Sequence, residues 1–208
     1  MVKTSLLFLP LLVLGLPCHS QKIPLQGTTT AAEAIAAQTD PKKLATLKGQ
    51  RAANPRLQRC IYWLATAEDA GQKPEDVLAD AAKINGTSGS DYAGFIRWGL
   101  LENLRLAKEY GLLTQEGMAE LRRGKTATIT RGQYAGQEAA ADHVIPLKIC
   151  PELGNQVFNL ELLPASLNSA KGAKVGKRQV VFAGELRAAG LLSEQGYQAV
   201  QAAAGGSQ

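Results

Sequence analysis

The spacing of apolar residues changes near Thr126, and no other feature of the sequence limits the fold as strongly. From about residue 31 to 124, apolar side chains recur at intervals of three and four residues, as do Leu57, Ile61 and Leu64. This spacing places apolar side chains on one face of a helix. The first part of the chain is therefore predicted to be helical.

Further signals within this region mark individual helices. Pro74, followed by two acidic residues, is a typical helix start, and the loop INGTSGS at 84–90 precedes the longest predicted helix. Large aromatic side chains within the helical pattern are predicted to belong to the core rather than to a ligand platform. They are Tyr62, Trp63 and Trp98.

Beyond that point the pattern is one of short strands. TATIT at 126–130 alternates β-branched residues, and AAADHVIPL at 139–147 is a second candidate extended segment. LELL at 160–163 is short and strand-like, and Pro164 begins a helix predicted to run through Lys171 into the 170s. The sequence thus predicts an α+β, predominantly helical fold, in which helices precede a strand, a long loop, a second strand and a helix.

The first twenty residues have the layout of a secretory signal peptide: Lys3, an apolar run from Leu6 to Leu16 and a short polar end. The apolar run is much shorter than the roughly 20 residues needed to span a bilayer, and no other segment is a transmembrane candidate. Cleavage is expected after Ser20, which predicts a secreted or periplasmic protein. The bulky residue before Cys18 argues against a lipoprotein.

Composition and local pattern define the remaining organisation. Hydrophobic residues make up 45% and charged residues 20% of the chain, a balance that excludes wholesale disorder. Two short amphipathic helices, joined near Gly190, are predicted near the end of the chain. The predicted parts are a linker at 21–30, a helical region at 31–124, a strand-containing region with terminal helices at 125–203 and a flexible tail at 204–208.

Two cysteines, Cys60 and Cys150, remain after the predicted leader. In an oxidising compartment they could form one disulfide, or they could be two separate buried thiols, and their spacing does not decide between these. Neither interpretation makes them catalytic. A cysteine metal site is disfavoured because the chain contains no C-x-x-C pair.

Two stretches, DHVIP at 142–146 and NLELLPASLNSAK at 159–171, follow each other along the chain. In this order they resemble the HNH nuclease superfamily, whose ββα-metal motif is a hairpin and a helix around a catalytic metal ion. Many members bind a structural zinc through two cysteines, but Pro164 and Leu167 occupy those positions, so no structural zinc is expected. The last motif position is Asn168 rather than histidine, as in the HNH domains of RNA-guided CRISPR nucleases.

The residue types in this motif suit phosphodiester hydrolysis. Asp142 and Asn168 offer hard oxygen ligands for Mg²⁺ or Mn²⁺. Imidazole titrates at about pH 6.5, so His143 could accept a proton from the attacking water. The resemblance implies that Asn159 fixes the loop between the strands and does not touch the metal. Without the second stretch, Asp142 beside His143 would instead indicate an ordinary structural pair.

Basic residues surround the motif and predict contacts with a phosphate backbone. Lys171 lies three residues after Asn168, on the same helical face, and is expected to meet a phosphate. Other candidates for nucleic-acid contact are Lys174, Lys177 and Arg178, with Arg122, Arg123, Lys125 and Arg131 forming a second basic stretch. The alternative for these side chains is an ordinary solvated surface.

The leading hypothesis is a secreted, metal-dependent HNH endonuclease that acts on nucleic acid, with residues 125–203 as its ββα-metal nuclease domain and DNA as the expected substrate. Two alternatives stay open: a non-catalytic nucleic-acid-binding module and a secreted helical adaptor or scaffold. The sequence identifies no protein partner.

Overall fold

A computed structural model describes residues 29–47 and 54–206. The predicted signal peptide and most of the predicted linker lie outside the described residues. Within the described part, no helix is both long and apolar enough to cross a membrane.

The first part of the chain is helical, as predicted. Its helices are α1 (Ala31–Thr39), α2 (Pro41–Thr46), α3 (Asn54–Asp69), α4 (Pro74–Ile84), α5 (Asp91–Glu109) and α6 (Gln115–Arg123). Side-chain oxygens of Thr30, Ser90 and Thr114 accept backbone N–H groups at the starts of α1, α5 and α6. Such caps satisfy donors that have no partner within the helix, which explains where these helices begin.

The second part contains a hairpin and a helix in the predicted order. Strand β1 (Ala139–His143) pairs antiparallel with β2 (Leu160–Pro164), and α7 (Ala165–Lys171) follows directly. The loop between the strands contains two 3₁₀ turns. The predicted strand TATIT is wrong as a full strand, because Thr128 forms only an isolated bridge with Glu138. The observed class is predominantly helical with a two-stranded antiparallel sheet, in agreement with the predicted α+β composition.

Two predicted boundaries after the hairpin are wrong. Helix α7 ends at Lys171 because Gly172 adopts a positive φ of 52°, so it does not continue through the 170s, and Lys174 lies beyond the helix. The pair of terminal helices is confirmed as α8 (Lys177–Ala188) and α9 (Glu194–Gly205), with Gly190 at a φ of 69° between them. Because α9 reaches Gly205, the predicted flexible tail begins too early.

One continuous apolar core joins the helical region to the hairpin and the terminal helices. Leu57, Ile61 and Leu64, which defined the helical pattern, are completely buried in it. Helix α5 approaches the loop closely at Gly99, where an added Cβ would lie 3.1 Å from the Cα of Phe158. The hairpin is therefore held by packing against α5, and large side chains are excluded at this crossing.

Trp98 contradicts the core prediction for the aromatic residues. Its side chain is 48% exposed and stacks at a tilt on Phe182, with ring centroids 5.5 Å apart. Tyr62 and Trp63 are partly buried against the core, as predicted. Trp98 follows the buried Ile96 by two residues, which is about 200° around a helix, so it faces away from the buried side of α5.

Cys60 and Cys150 are free, buried thiols in the structure, so the alternative of two separate thiols describes them and the disulfide does not. Burial raises the pKa of the Cys60 thiol to about 12 and that of Cys150 to about 11. Thiols with such high pKa values are poor nucleophiles, which agrees with the inference that neither is catalytic.

Candidate active site

Asn159 fixes the loop that follows His143. Its side-chain oxygen accepts the Ile145 N–H at 2.9 Å, and its side-chain nitrogen donates to the Ile145 carbonyl at 3.1 Å. The Asn159 carbonyl also accepts the Val144 N–H at 2.8 Å. Asn159 is completely buried, so these bonds satisfy backbone groups that water cannot reach. The side chain therefore has the loop-fixing contacts that the sequence predicted for it.

His143 ends β1 and lies against the loop rather than in solvent, with 8% of its surface exposed. Its Nε2 lies 3.0 Å from the carbonyl oxygen of Gly154. A carbonyl can only accept a hydrogen bond, so Nε2 must carry the proton in this contact. In the neutral ring Nδ1 is then the unprotonated nitrogen, and it makes no hydrogen bond with any described residue.

Asp142 pairs with a lysine and not with the adjacent histidine. The Lys171 ammonium lies 2.6 Å from Asp142 Oδ2 and also donates to the His143 carbonyl. The ordinary Asp-His pair that the sequence left open is therefore not formed. The other Asp142 oxygen, Oδ1, makes no hydrogen bond within the described chain.

The ammonium of Lys171 lies among protein oxygens, and its side chain is only 14% exposed. In the structure Lys171 therefore binds the protein itself, and its predicted contact with a phosphate stays a prediction. One of the protein oxygens belongs to Glu161, at 3.6 Å, a buried residue that is the cross-strand partner of Asp142. Because direct cross-strand partners face the same side of a sheet, the register places two carboxylates side by side for Lys171 to join.

Asn168 lies one turn before Lys171 on α7, which packs against both strands. Residues three apart share a helical face, and Lys171 on that face reaches Asp142. The Asn168 side chain is half-buried and makes no hydrogen bond with the described residues. A carboxylate oxygen of Asp142 and an amide oxygen of Asn168, neither of which has a partner among the described residues, fit the preferences of Mg²⁺ or Mn²⁺.

Among the described residues there is no cluster of three or more His, Cys, Asp or Glu side chains that could hold a metal. A site with Asp142 and Asn168 as its protein ligands would not form such a cluster. The remaining positions around the ion would be filled by water and substrate oxygens.

Sequence reasoning missed two residues that shape the site. Asn103 of α5 is buried, donates to the Leu160 carbonyl at 2.9 Å and accepts the Leu162 N–H at 2.8 Å, so it holds the outer edge of β2. Glu161 connects Lys171 with Arg178, whose guanidinium lies 2.7 Å from it. A polar residue on the apolar face of α5 was a signal for Asn103, whereas only the strand register reveals the role of Glu161.

The predicted basic residues divide into two groups. Lys171 and Arg178 form ion pairs with the carboxylates of the hairpin. Lys174 and Lys177 are exposed and form no ion pair within the described residues. In the second basic stretch, Arg123 pairs with Glu120. The other basic side chains of this stretch are exposed and form no ion pair with a described residue: Arg122, Lys125 and Arg131.

Comparisons with protein-family models, curated proteins and solved structures give no match to this chain. The functional interpretation of the site therefore rests on its own residues and geometry.

Proposed function

We propose that this protein is a metal-dependent endonuclease of the HNH type that hydrolyses phosphodiester bonds of nucleic acid, with DNA as its substrate. The observation that carries this proposal is the hydrogen bonding of the His143 ring. The Gly154 carbonyl accepts a hydrogen bond from Nε2, so in the neutral ring Nδ1 is unprotonated and can accept a proton. The Asn159 contacts, which hold the adjacent Ile145, support the same interpretation.

In the proposed reaction, Nδ1 of His143 accepts a proton from a water molecule as the water oxygen attacks phosphorus. The bond from phosphorus to the 3′ oxygen breaks, and this oxygen takes a proton from solvent. The resemblance to HNH nucleases implies these 3′-hydroxyl and 5′-phosphate products. A divalent cation held by Asp142 and Asn168 would stabilise the negative charge that develops on the phosphate oxygens.

Cleavage of supercoiled plasmid tests this proposal. Mature protein beginning at Gln21 should nick or linearise plasmid with Mg²⁺ or Mn²⁺ and should leave it intact with excess EDTA, because the proposed reaction needs a divalent ion to stabilise the negative charge that develops on the phosphate oxygens. Gel electrophoresis of timed samples measures the conversion. Plasmid that stays intact with both metals would rule out the endonuclease.

Parallel binding assays separate the two alternative functions. A labelled duplex that binds but is never cut would favour a non-catalytic nucleic-acid-binding module. A protein that neither binds nor cuts would favour a helical adaptor or scaffold. The predicted leader, with its cleavage after Ser20, makes the proposed nuclease a secreted or periplasmic one.

We propose that Lys174 and Lys177 contact the phosphate backbone, because both are exposed close to the candidate site and neither forms an ion pair with a described residue. Each phosphate contact adds about 0.9 to the slope of log K against log salt, so Lys174→Ala with Lys177→Ala should lower that slope by about 2. Fluorescence anisotropy of a labelled duplex in EDTA, from 50 to 200 mM salt, would measure it.

Two lysines at the ends of α4 provide a control of equal charge for this measurement. Lys73 is the N-cap residue of α4, and Lys83 lies in its last turn, where it pairs with Asp80 at 2.8 Å. Lys73→Ala with Lys83→Ala removes the same charge from a helix that packs against α1, α3 and α5. The salt slope of this control should stay near that of the unmodified protein. An equal loss of slope in both double variants would show a general charge effect and contradict a local contact.

A further inference from the structure

The environment of the Lys171 ammonium is unusual for a lysine at the end of a short surface helix. It contacts Asp142 Oδ2 at 2.6 Å, the His143 carbonyl, and Glu161 Oε1 at 3.6 Å. Lys174, three residues later, is exposed and has no ion pair with a described residue. The Lys171 ammonium therefore lies beside the Asp142 carboxylate, which is also the proposed ligand of the divalent ion.

We propose that Lys171 is a tethered cation that neutralises Asp142 in the metal-free protein and is displaced when a divalent ion binds. Two cations close to one carboxylate repel each other, and this repulsion is weakly screened where the groups are mostly shielded from water. The inference rests on the proposed function in one respect, since both require Asp142 to bind the divalent ion.

The hairpin allows Lys171 to leave at a limited cost. Glu161 is buried, and a buried carboxylate without a cationic partner is energetically unfavourable. Arg178, whose guanidinium lies 2.7 Å from Glu161, remains as that partner when Lys171 leaves. The carbonyl of His143 is at the end of β1, and a water molecule can donate to it in place of the ammonium. The released ammonium, on a flexible side chain, can then bind a substrate phosphate, the role predicted from the sequence.

Chemical labelling of the unmodified protein tests the displacement. A short pulse of acetic anhydride, followed by mass spectrometry of peptides, reports the reactivity of each lysine with and without Mn²⁺. Lys171 should react severalfold faster in saturating Mn²⁺, because its ammonium leaves the Asp142 contact, while exposed Lys174 serves as an internal reference and should not change. Unchanged labelling of Lys171 in Mn²⁺ would overturn the inference.

Metal affinity gives a second, independent measurement. Removal of the competing charge in Lys171→Met should lower the Mn²⁺ dissociation constant by about tenfold or more, measured by calorimetry. Lys148→Met removes the same charge from an exposed position in the loop that follows β1 and should leave the constant unchanged. Circular dichroism would check that each variant is folded. If Lys171→Met does not fold, the labelling experiment on the unmodified protein decides whether Lys171 is displaced.

The possible failures are distinct. Equal Mn²⁺ affinity in Lys171→Met and the unmodified protein, or no Mn²⁺ binding to either, would overturn the tethered-cation role. If the affinity shift occurs but plasmid is never cut, the inference stands and the proposed endonuclease fails. If plasmid is cut, but Lys171 does not react faster in Mn²⁺ and its replacement does not alter metal affinity, the proposed endonuclease stands and the tethered-cation inference fails.

Discussion

His143→Ala should lower the rate of plasmid cleavage by about 10²- to 10⁴-fold, the usual contribution of a general base. The reason is the hydrogen bond to Gly154, which holds the ring by Nε2 and leaves Nδ1 to accept a proton from water. Substrate binding in EDTA should be unchanged, because the ring is buried and not part of the basic surface. Timed plasmid cleavage in Mg²⁺, with duplex anisotropy in EDTA, measures both effects.

Imidazole rescue distinguishes a proton acceptor from a purely structural histidine. The alanine variant leaves space for a small base, so added imidazole should restore part of the cleavage rate. Lys148→Ala, an exposed position in the same loop, is the matched control and should cleave at the normal rate. Equal cleavage by His143→Ala and the unmodified protein would contradict the role of His143.

The order of elements around the site could be predicted because the signals are local. Pro164 between LELL and a helical segment marks the start of α7, and the two motif stretches fix which residues lie on the hairpin and which on the helix. The contacts of Asn159 followed from the resemblance alone. The order of elements depends on neighbours within a few residues, and the Asn159 contacts depend on a known motif.

The surroundings of Lys171 could not be predicted because they depend on strand register. β1 is alanine-rich, so its sequence gives no clear inner and outer face and does not show that Asp142 lies opposite Glu161. Asn103 was missed for a related reason, since it meets β2 across 57 residues of sequence. Trp98 is different: its place two residues after Ile96 already indicated the exposed side of α5.

Asn159→Ala should lower the free energy of unfolding by about 2–6 kcal/mol, because it leaves the buried N–H and carbonyl of Ile145 without partners, at about 1–3 kcal/mol each. It should also lower cleavage by the folded protein more than about tenfold, since a loosened loop no longer holds His143 in its geometry. Urea unfolding followed by circular dichroism measures the first effect, and plasmid cleavage well below the unfolding midpoint measures the second.

Asn103→Ala is the control that separates positioning from stability. It removes the bonds to the Leu160 carbonyl and the Leu162 N–H, so the expected loss of stability is again about 2–6 kcal/mol. Asn103 contacts β2 and not the loop that follows His143, so cleavage by the folded fraction should fall much less than in Asn159→Ala. If the two variants lose cleavage equally at matched stability, Asn159 contributes only to the fold, because the loop then does not control the position of the histidine ring.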